Sequence, residues 1–160
     1  MAKDLSFLVL LFGLWLGANA QCCGDSDYCP SCPPGWTAFG DRCYVYDGTP
    51  KEWADAEVTC LKHGGNLVSF SNQKEFDFIS RLIRRSSGAN TRIWAGGQDA
   101  TKNGVWLWSN GSKMTFINWG PRQPDNARGR EHCMELNLRG KPNDHVCSVK
   151  KPFMCMKDKE

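Results

Sequence analysis

The chain has no block of five or six like charges, and its 20 Lys and Arg stand against 17 Asp and Glu, for a formal net charge of +3. A phosphate backbone calls for a concentrated basic stripe, so this balance argues against nucleic acid as a partner. Beyond the first residues no second apolar stretch reaches the roughly 18 residues that a membrane helix needs, so no membrane span is expected. Internal repeats and low-complexity segments are missing too, which argues against solenoids and disordered tails. The histidines, His63, His132 and His145, are not spaced as a zinc set, and no Ser or Cys has a convincing base partner. No enzymatic activity is expected.

What is present fits one folded domain: 160 residues, 41% of them hydrophobic. Residues 1–20, MAKDLSFLVLLFGLWLGANA, place Lys3 ahead of an apolar run from Leu5 to Leu16 and close with Ala18 and Ala20. That is the pattern of a secretory signal peptide, so the mature chain is expected to begin near Gln21 and to be secreted to the extracellular space. All 9 cysteines fall after it, and in an exported chain of this size they point to disulfides rather than to metal ligands. Residues 21–31 hold Cys22, Cys23 and Cys29 among small and turn-forming residues, an extended N-terminal arm. Cys29-Pro30-Ser31-Cys32 has CxxC spacing without a βαβ context, and reads as structural.

From Cys32 the pattern becomes periodic. Gly40-Asp41 between Cys32 and Cys43, with Tyr44-Val45-Tyr46 beyond, predicts a hairpin that a Cys32–Cys43 bridge would staple. Thr49-Pro50-Lys51-Glu52 reads as a cap, a first-turn proline and a glutamate reaching back, so a helix is expected from here, with Trp53, Ala56, Cys60 and Leu61 inward and Gly64-Gly65 ending it. Asn72-Gln73-Lys74-Glu75 predicts a second helix with Phe76, Ile79 and Ile83 on one face, flanked by Phe78 and Leu82. Arg81, Arg84 and Arg85 near its end face solvent. After Gly88, RIWAGG, VWLWSNG, HCMELNL and FMCMK read as strands, with Cys133, Glu135 and Asn137 on a polar face of HCMELNL. From about Asn110 to Arg130 little regular structure is signalled, and a compact domain rarely keeps so long a loop without a use for it.

Oxygen-bearing residues gather where that regularity ends: Gln123-Pro124-Asp125, then Glu131, then Asn143-Asp144. Such a donor set suits Ca²⁺, which takes six to eight oxygens in a flexible shell. A cis bond before Pro124 would turn Gln123 and Asp125 toward one point. Composition alone leaves a solvated acidic loop as the other reading.

With CPPGW at Cys32–Trp36, WAGG at Trp94–Gly97, WSNGS at Trp108–Ser112, QPD at Gln123–Asp125, GREHC at Gly129–Cys133, NDHVC at Asn143–Cys147 and FMC ending at Cys155, residues 32–157 resemble the C-type lectin-like domain. The soluble lectins of fish and snake venoms are the nearest in kind. The resemblance implies an α+β fold, two helices packed on antiparallel sheets with a long calcium-binding loop, braced by Cys32–Cys43, Cys60–Cys155 and Cys133–Cys147. The second of these closes a long loop, worth on the order of 4 kcal/mol of chain entropy.

It further implies that Gln123, Asp125, Glu131, Asn143 and Asp144 hold calcium and the sugar together, each hydroxyl donating to a carboxylate and accepting from an amide N–H of Gln123 or Asn143. In this family QPD is the galactose-type order and EPN the mannose-type, so galactose, lactose or N-acetylgalactosamine is the expected ligand. The pattern is incomplete in three places. No aromatic ring follows Asp125, leaving Trp119 or His132 as substitutes. Pro142-Asn143-Asp144 stands where the family has a WND triplet. The family's auxiliary calcium positions match Asp99, Asn103, Asn126, Glu131 and His132, with amides and an imidazole where acids are usual, and no second ion is expected there. Cys22, Cys23 and Cys29 are left over from the paired cysteines, and this odd number implies an intermolecular bridge or a free thiol. The expectation is a disulfide-linked homo-oligomer, in which linked sugar sites gain avidity and agglutinate cells or microbes in innate defence. The other reading is two of the three paired within the arm with the third capped by a small thiol. Asn110-Gly111-Ser112 is the N-glycosylation sequon. The same scaffold carries type II antifreeze proteins and venom modules that bind proteins. The charges in GPRQPDNARGREH disfavour an ice-binding face, and the full ligand set disfavours the venom module.

Overall fold

The computed structural model describes residues 31–160, so the expected signal peptide and the arm residues Cys22, Cys23 and Cys29 lie outside the described residues. Gly40, at φ 57°, turns the chain between β1 (Thr37–Phe39) and β2 (Arg42–Lys51), the predicted hairpin. β2 runs further than its sequence predicts. Thr49, Pro50 and Lys51 belong to the strand, Thr49 N–H donates to Asp47 Oδ1 at 2.8 Å, and the register with the last strand slips between Asp47 and Lys51. A proline is tolerated at such an irregularity because no ladder N–H is required there. Helix α1 (Trp53–Lys62) therefore starts later, with Glu52 as N-cap and no side-chain cap bond.

α1 buries Ala56, Glu57 and Cys60. Leu61, expected inward, is 54% exposed because it sits one residue, about 100°, round the helix from Cys60. The buried Glu57 is satisfied by Asn66 Nδ2–H and Leu67 N–H, which fasten α1 to β3 (Asn66–Leu67). α2 (Gln73–Ser87) follows its sequence signals closely. Asn72 Oδ1 accepts Glu75 N–H at 3.0 Å, Glu75 Oε2 accepts Ser71 N–H at 2.7 Å, and Gly88 ends the helix at φ 71°. Phe76, Ile79, Leu82 and Ile83 are buried; Arg81, Arg84 and Arg85 are exposed.

The remaining strands are β4 (Ile93–Gln98), β5 (Leu107–Trp108), β6 (Cys133–Leu138), β7 (Lys141–His145) and β8 (Lys151–Asp158). They join β1 and β2 in the order β1-β2-β8-β4-β6-β7, with β3 on β8 and β5 on β4. The expected antiparallel sheets are thus one mixed sheet: β8 inserts between β2 and β4, antiparallel to the first and parallel to the second, with Trp94 opposite Phe153. α2 and the sheet enclose Val68, Phe70, Ile79, Ile93, Leu136 and Met154, while α1 covers Ala56, Cys60, Trp94, Phe153 and Cys155. Disulfides join Cys32–Cys43, Cys60–Cys155 and Cys133–Cys147. The second ties α1 to β8, and the third ties β6 to the segment after β7.

β6 corrects one expectation. Its supposed polar face is buried, with Glu135 at 0% and Asn137 at 7% exposure. Glu135 is met there by Asn143 and Lys151, and Asn137 by the Thr91 carbonyl, so these polar residues find partners inside the protein instead of water.

Candidate cation and sugar site

Where β6 begins and β7 ends, three of the five predicted oxygen donors come together. Carboxylate oxygens of Asp125, Glu131 and Asp144 lie within 4.8 Å of one another. Asp144, fully buried on β7, receives Asp125 N–H at 3.1 Å and Asn126 N–H at 2.6 Å, so one carboxylate folds the loop over itself. The peptide bond before Pro124 is cis, as expected. Gln123 is fixed by its own backbone: its N–H donates to Gly120 O at 3.0 Å, and Gly120 N–H donates to Pro142 O at 2.9 Å. Gly120 is needed for this approach, since a Cβ there would lie 3.3 Å from Pro142 O. Pro142, standing in the tryptophan position, is buried and carries that link.

The other two predicted donors are amide oxygens. Gln123 Oε1 and Asn143 Oδ1 are both buried with no hydrogen-bond partner. An orphaned buried acceptor costs about 1–3 kcal/mol unless something outside the protein satisfies it. Three converging carboxylates, with two unsatisfied carbonyl-type oxygens on residues one or two places away in the chain, offer hard oxygen donors, the chemistry that calcium takes. The same crowding acts on Glu131. Burial raises its pKa above the usual carboxylate value, and the charges of Asp144 and Asp125 add to this, while the Ala127 N–H and His145 pull the other way.

The orientation of Asn143 is decided from below. Its Nδ2 donates to Glu135 Oε1 at 3.0 Å and to Asp144 O at 2.6 Å, and reversing the amide would aim an oxygen at a carboxylate. Glu135 is held in turn by Lys151 Nζ at 2.7 Å, with Arg92 at 3.7 Å. Glu135 and Lys151 are absent from the predicted site. The signal that could have found them is a glutamate inside an otherwise apolar strand, which must be paired if the strand is central. With both Asn143 N–H groups engaged inward, Gln123 is the amide left to donate to a ligand, a narrower choice than the sequence implies.

The auxiliary positions are organised differently. Asp99, 2% exposed, accepts Gly104 N–H at 2.7 Å and faces His132 Nδ1 at 2.9 Å. Asn126 Nδ2 donates to Asn103 Oδ1 at 2.8 Å, and Asn126 Oδ1 accepts Glu131 N–H at 3.0 Å. Trp119 packs edge-on against Trp106, 4.8 Å between ring centroids, at the margin of the core. Asn110 uses one Nδ2–H on Ser69 Oγ at 3.0 Å, and its Oδ1 accepts from Ser112, so one amide hydrogen stays free of that contact. Among the described residues no helix is long and apolar enough to cross a membrane.

Comparison with known proteins agrees with this geometry. The Lectin C-type domain model matches residues 49–157. The galactose-specific lectin nattectin of Thalassophryne nattereri is 44% identical over 153 residues, covering 95% of this chain and 94% of its own. The type-2 ice-structuring protein of Hemitripterus americanus is 41% identical over 107 residues, 67% of this chain and 61% of its own. Human lithostathine superposes with a TM-score of 0.75 at 32% identity, over 80% of this chain and 91% of that one. The chain belongs to the C-type lectin domain family.

Proposed function

We propose that this is a secreted, calcium-dependent lectin of galactose type, binding galactose, lactose or N-acetylgalactosamine without turnover. Gln123, Asp125, Glu131, Asn143 and Asp144 are the residues that would hold the ion. The observation carrying the reading is the convergence of the Asp125, Glu131 and Asp144 carboxylates, supported by partnerless buried oxygens on Gln123 and Asn143, which stand within two residues of them in the chain. A bound calcium supplies a centre on which two vicinal sugar hydroxyls can replace water. The chain's own contribution is to aim the lone pairs of Asp125 and Glu131 and the Gln123 amide N–H at those hydroxyls, while Glu135 and Asp144 keep Asn143 from turning. Similarity to a galactose-specific lectin supports the sugar class.

In this reading residues 1–20 direct export and Cys22, Cys23 and Cys29 join chains into a disulfide-linked homo-oligomer whose several sites agglutinate cells or microbes. Asn110 can carry a glycan on its free amide hydrogen. A relative named for ice structuring makes ice binding the competing reading. Arg122, Asp125, Arg128 and Arg130, all exposed on the loop, oppose it, because ice binding asks for a flat and weakly charged face.

The test is titration of the oxidised protein with lactose and with mannose, in millimolar calcium and after chelation. Calcium-dependent lactose binding with little response to mannose is expected. Calcium uptake without any response to sugar would sink the lectin reading. A non-reducing gel tests the oligomer.

A further inference from the structure

A cleft of about 610 Å³, within the usual range of ligand sites, opens between α2 and the β6–β7 turn, apart from the carboxylate cluster. Arg84, Arg92, Arg139 and Lys141 line it, against a single carboxylate, Asp77. Asp77 is already engaged, accepting Gln73 Nε2–H at 2.7 Å. The cations are barely neutralised within the protein. Arg84 Nε donates to a neutral amide, Asn90, at 3.1 Å, and Arg92 lies 3.7 Å from Glu135, whose nearer partner is Lys151. Arg139 and Lys141 have no ion pair among the described residues. A chain whose formal charge is only +3 thus gathers much of its excess in one concavity.

Arg139 adds a second observation. It occupies the β6–β7 turn at φ 50°, where glycine or asparagine is the easier residue. A long cation kept at a strained position points to use of its charge. Arg139 also lines a neighbouring 220 Å³ hollow together with Gly120, Pro121 and Gln123, so one residue of the basic cleft and one of the proposed sugar site face a common space.

We infer that this cleft holds an anionic group, a sulfate ester or a uronate carboxylate, on the glycan whose galactose occupies the neighbouring site. Guanidinium groups bind such oxyanions through paired, charge-assisted hydrogen bonds. The inference rests on the galactose reading for the identity of the glycan, and on the cleft alone for its charge.

The experiment compares the oxidised protein's affinity for three hexasaccharides: sulfated galactose–N-acetylglucosamine, the same compound desulfated, and unsulfated glucuronate–N-acetylgalactosamine. Each is measured at 50 and 300 mM salt, with calcium and with chelator. The expected result is at least tenfold tighter binding of an acidic compound than of the desulfated one at low salt, with the gain shrinking at high salt. Whichever acidic compound shows the gain identifies the oxyanion. Arg84→Gln, on an exposed helix face remote from the carboxylate cluster, should reduce that gain severalfold and leave desulfated binding within twofold. Arg139→Asn, which suits the left-handed backbone, should reduce the ratio of acidic to neutral affinity further.

Equal affinity for acidic and desulfated compounds, both calcium-dependent, overturns the inference and leaves the galactose reading standing. A gain that survives both substitutions overturns it as well. Acidic binding that persists in chelator and falls with Arg84→Gln, without any desulfated binding, upholds the cleft and removes the galactose reading. No binding of any compound overturns both.

Discussion

Two sets of polar residues share Glu131 and lie side by side, yet they have solved the problem of burial in opposite ways. In the set around Asp99 and Asn126 no buried side-chain oxygen or nitrogen is left without a partner: carboxylate meets imidazole and backbone N–H, amide meets amide, and amide oxygen meets backbone N–H. Around Asp125, Glu131 and Asp144 the carboxylates converge on one another, and the amide oxygens of Gln123 and Asn143, their near neighbours in the chain, have no partner. A closed set stabilises the loop by itself. An open set is a standing cost that only an outside cation offsets, and it is therefore the one poised to bind.

The largest effect should come from beneath the open set. Lys151→Met removes the 2.7 Å partner of the fully buried Glu135. Breaking a buried pair by removing one member costs about 3 kcal/mol or more, because the remaining charge is left uncompensated. Chemical denaturation should show that loss, together with weaker calcium binding as Glu135 releases the Asn143 amide. Adding Glu135→Gln, which removes the stranded charge but keeps an acceptor for Asn143, should recover part of the stability. If the double variant is no more stable than the single one, charge is not what Lys151 supplies.

Next in size is a direct contrast between the two sets. Asp125→Asn takes one carboxylate from the open cluster and should weaken calcium binding by about 100-fold, or about 2.7 kcal/mol, with lactose binding lost in parallel. Asp99→Asn in the closed set should leave calcium affinity within about threefold while lowering the melting temperature, since its hydrogen bonds to a charged acceptor are worth about 1.5–3 kcal/mol between them. Calorimetric titration reads the first and thermal unfolding the second. Equal losses of calcium affinity in both would erase the distinction.

Much of this contrast could be read from residue order alone, and the reason is local. QPD, the lone glutamate and ND bring their own chemistry wherever the chain folds, just as Asn72 and Glu75 cap α2 through neighbours three and four residues apart. The failures were tertiary. Thr49-Pro50 has the local form of a helix start, but Lys51 pairs with Lys151 across the sheet and the strand prevails. Glu135 and Asn137 look solvent-facing by alternation, yet partners distant in the chain, Lys151 for the first and the Thr91 carbonyl for the second, hold them inside. The parallel pairing of β4 with β8 joins residues too far apart in the chain for any pattern to show.

A smaller effect follows from the crowding of charge in the open set. Burial first, then Asp144 and Asp125, raise the pKa of Glu131 above its usual 4.5. In the metal-free protein the raised value means that this group's contribution to stability is complete below the ordinary carboxylate pKa and is lost as pH rises through the raised one. Calcium reverses the sense, because proton and cation compete for the same carboxylate. The gain in melting temperature on adding calcium should therefore shrink as the pH falls from neutral toward the raised value. A tenfold loss of affinity removes about 1.4 kcal/mol, which is about 3–5 °C for a domain of this size. A gain that is flat over that range would mean that Glu131 does not compete.

The smallest effect probes the seam between the sets. Asn126 belongs to both: its backbone N–H donates to Asp144, its amide nitrogen to Asn103, and its amide oxygen accepts from the Glu131 backbone. Asn103→Ala deletes only the outermost of these contacts, at an exposed position. Water can replace the lost acceptor, so the cost in stability should stay below about 1 kcal/mol and calcium affinity should hold within about twofold. The two backbone contacts would still fix Asn126. If affinity instead falls tenfold, the closed set is holding the open one in shape, and the two regions act as one site whose halves cannot be separated by mutation.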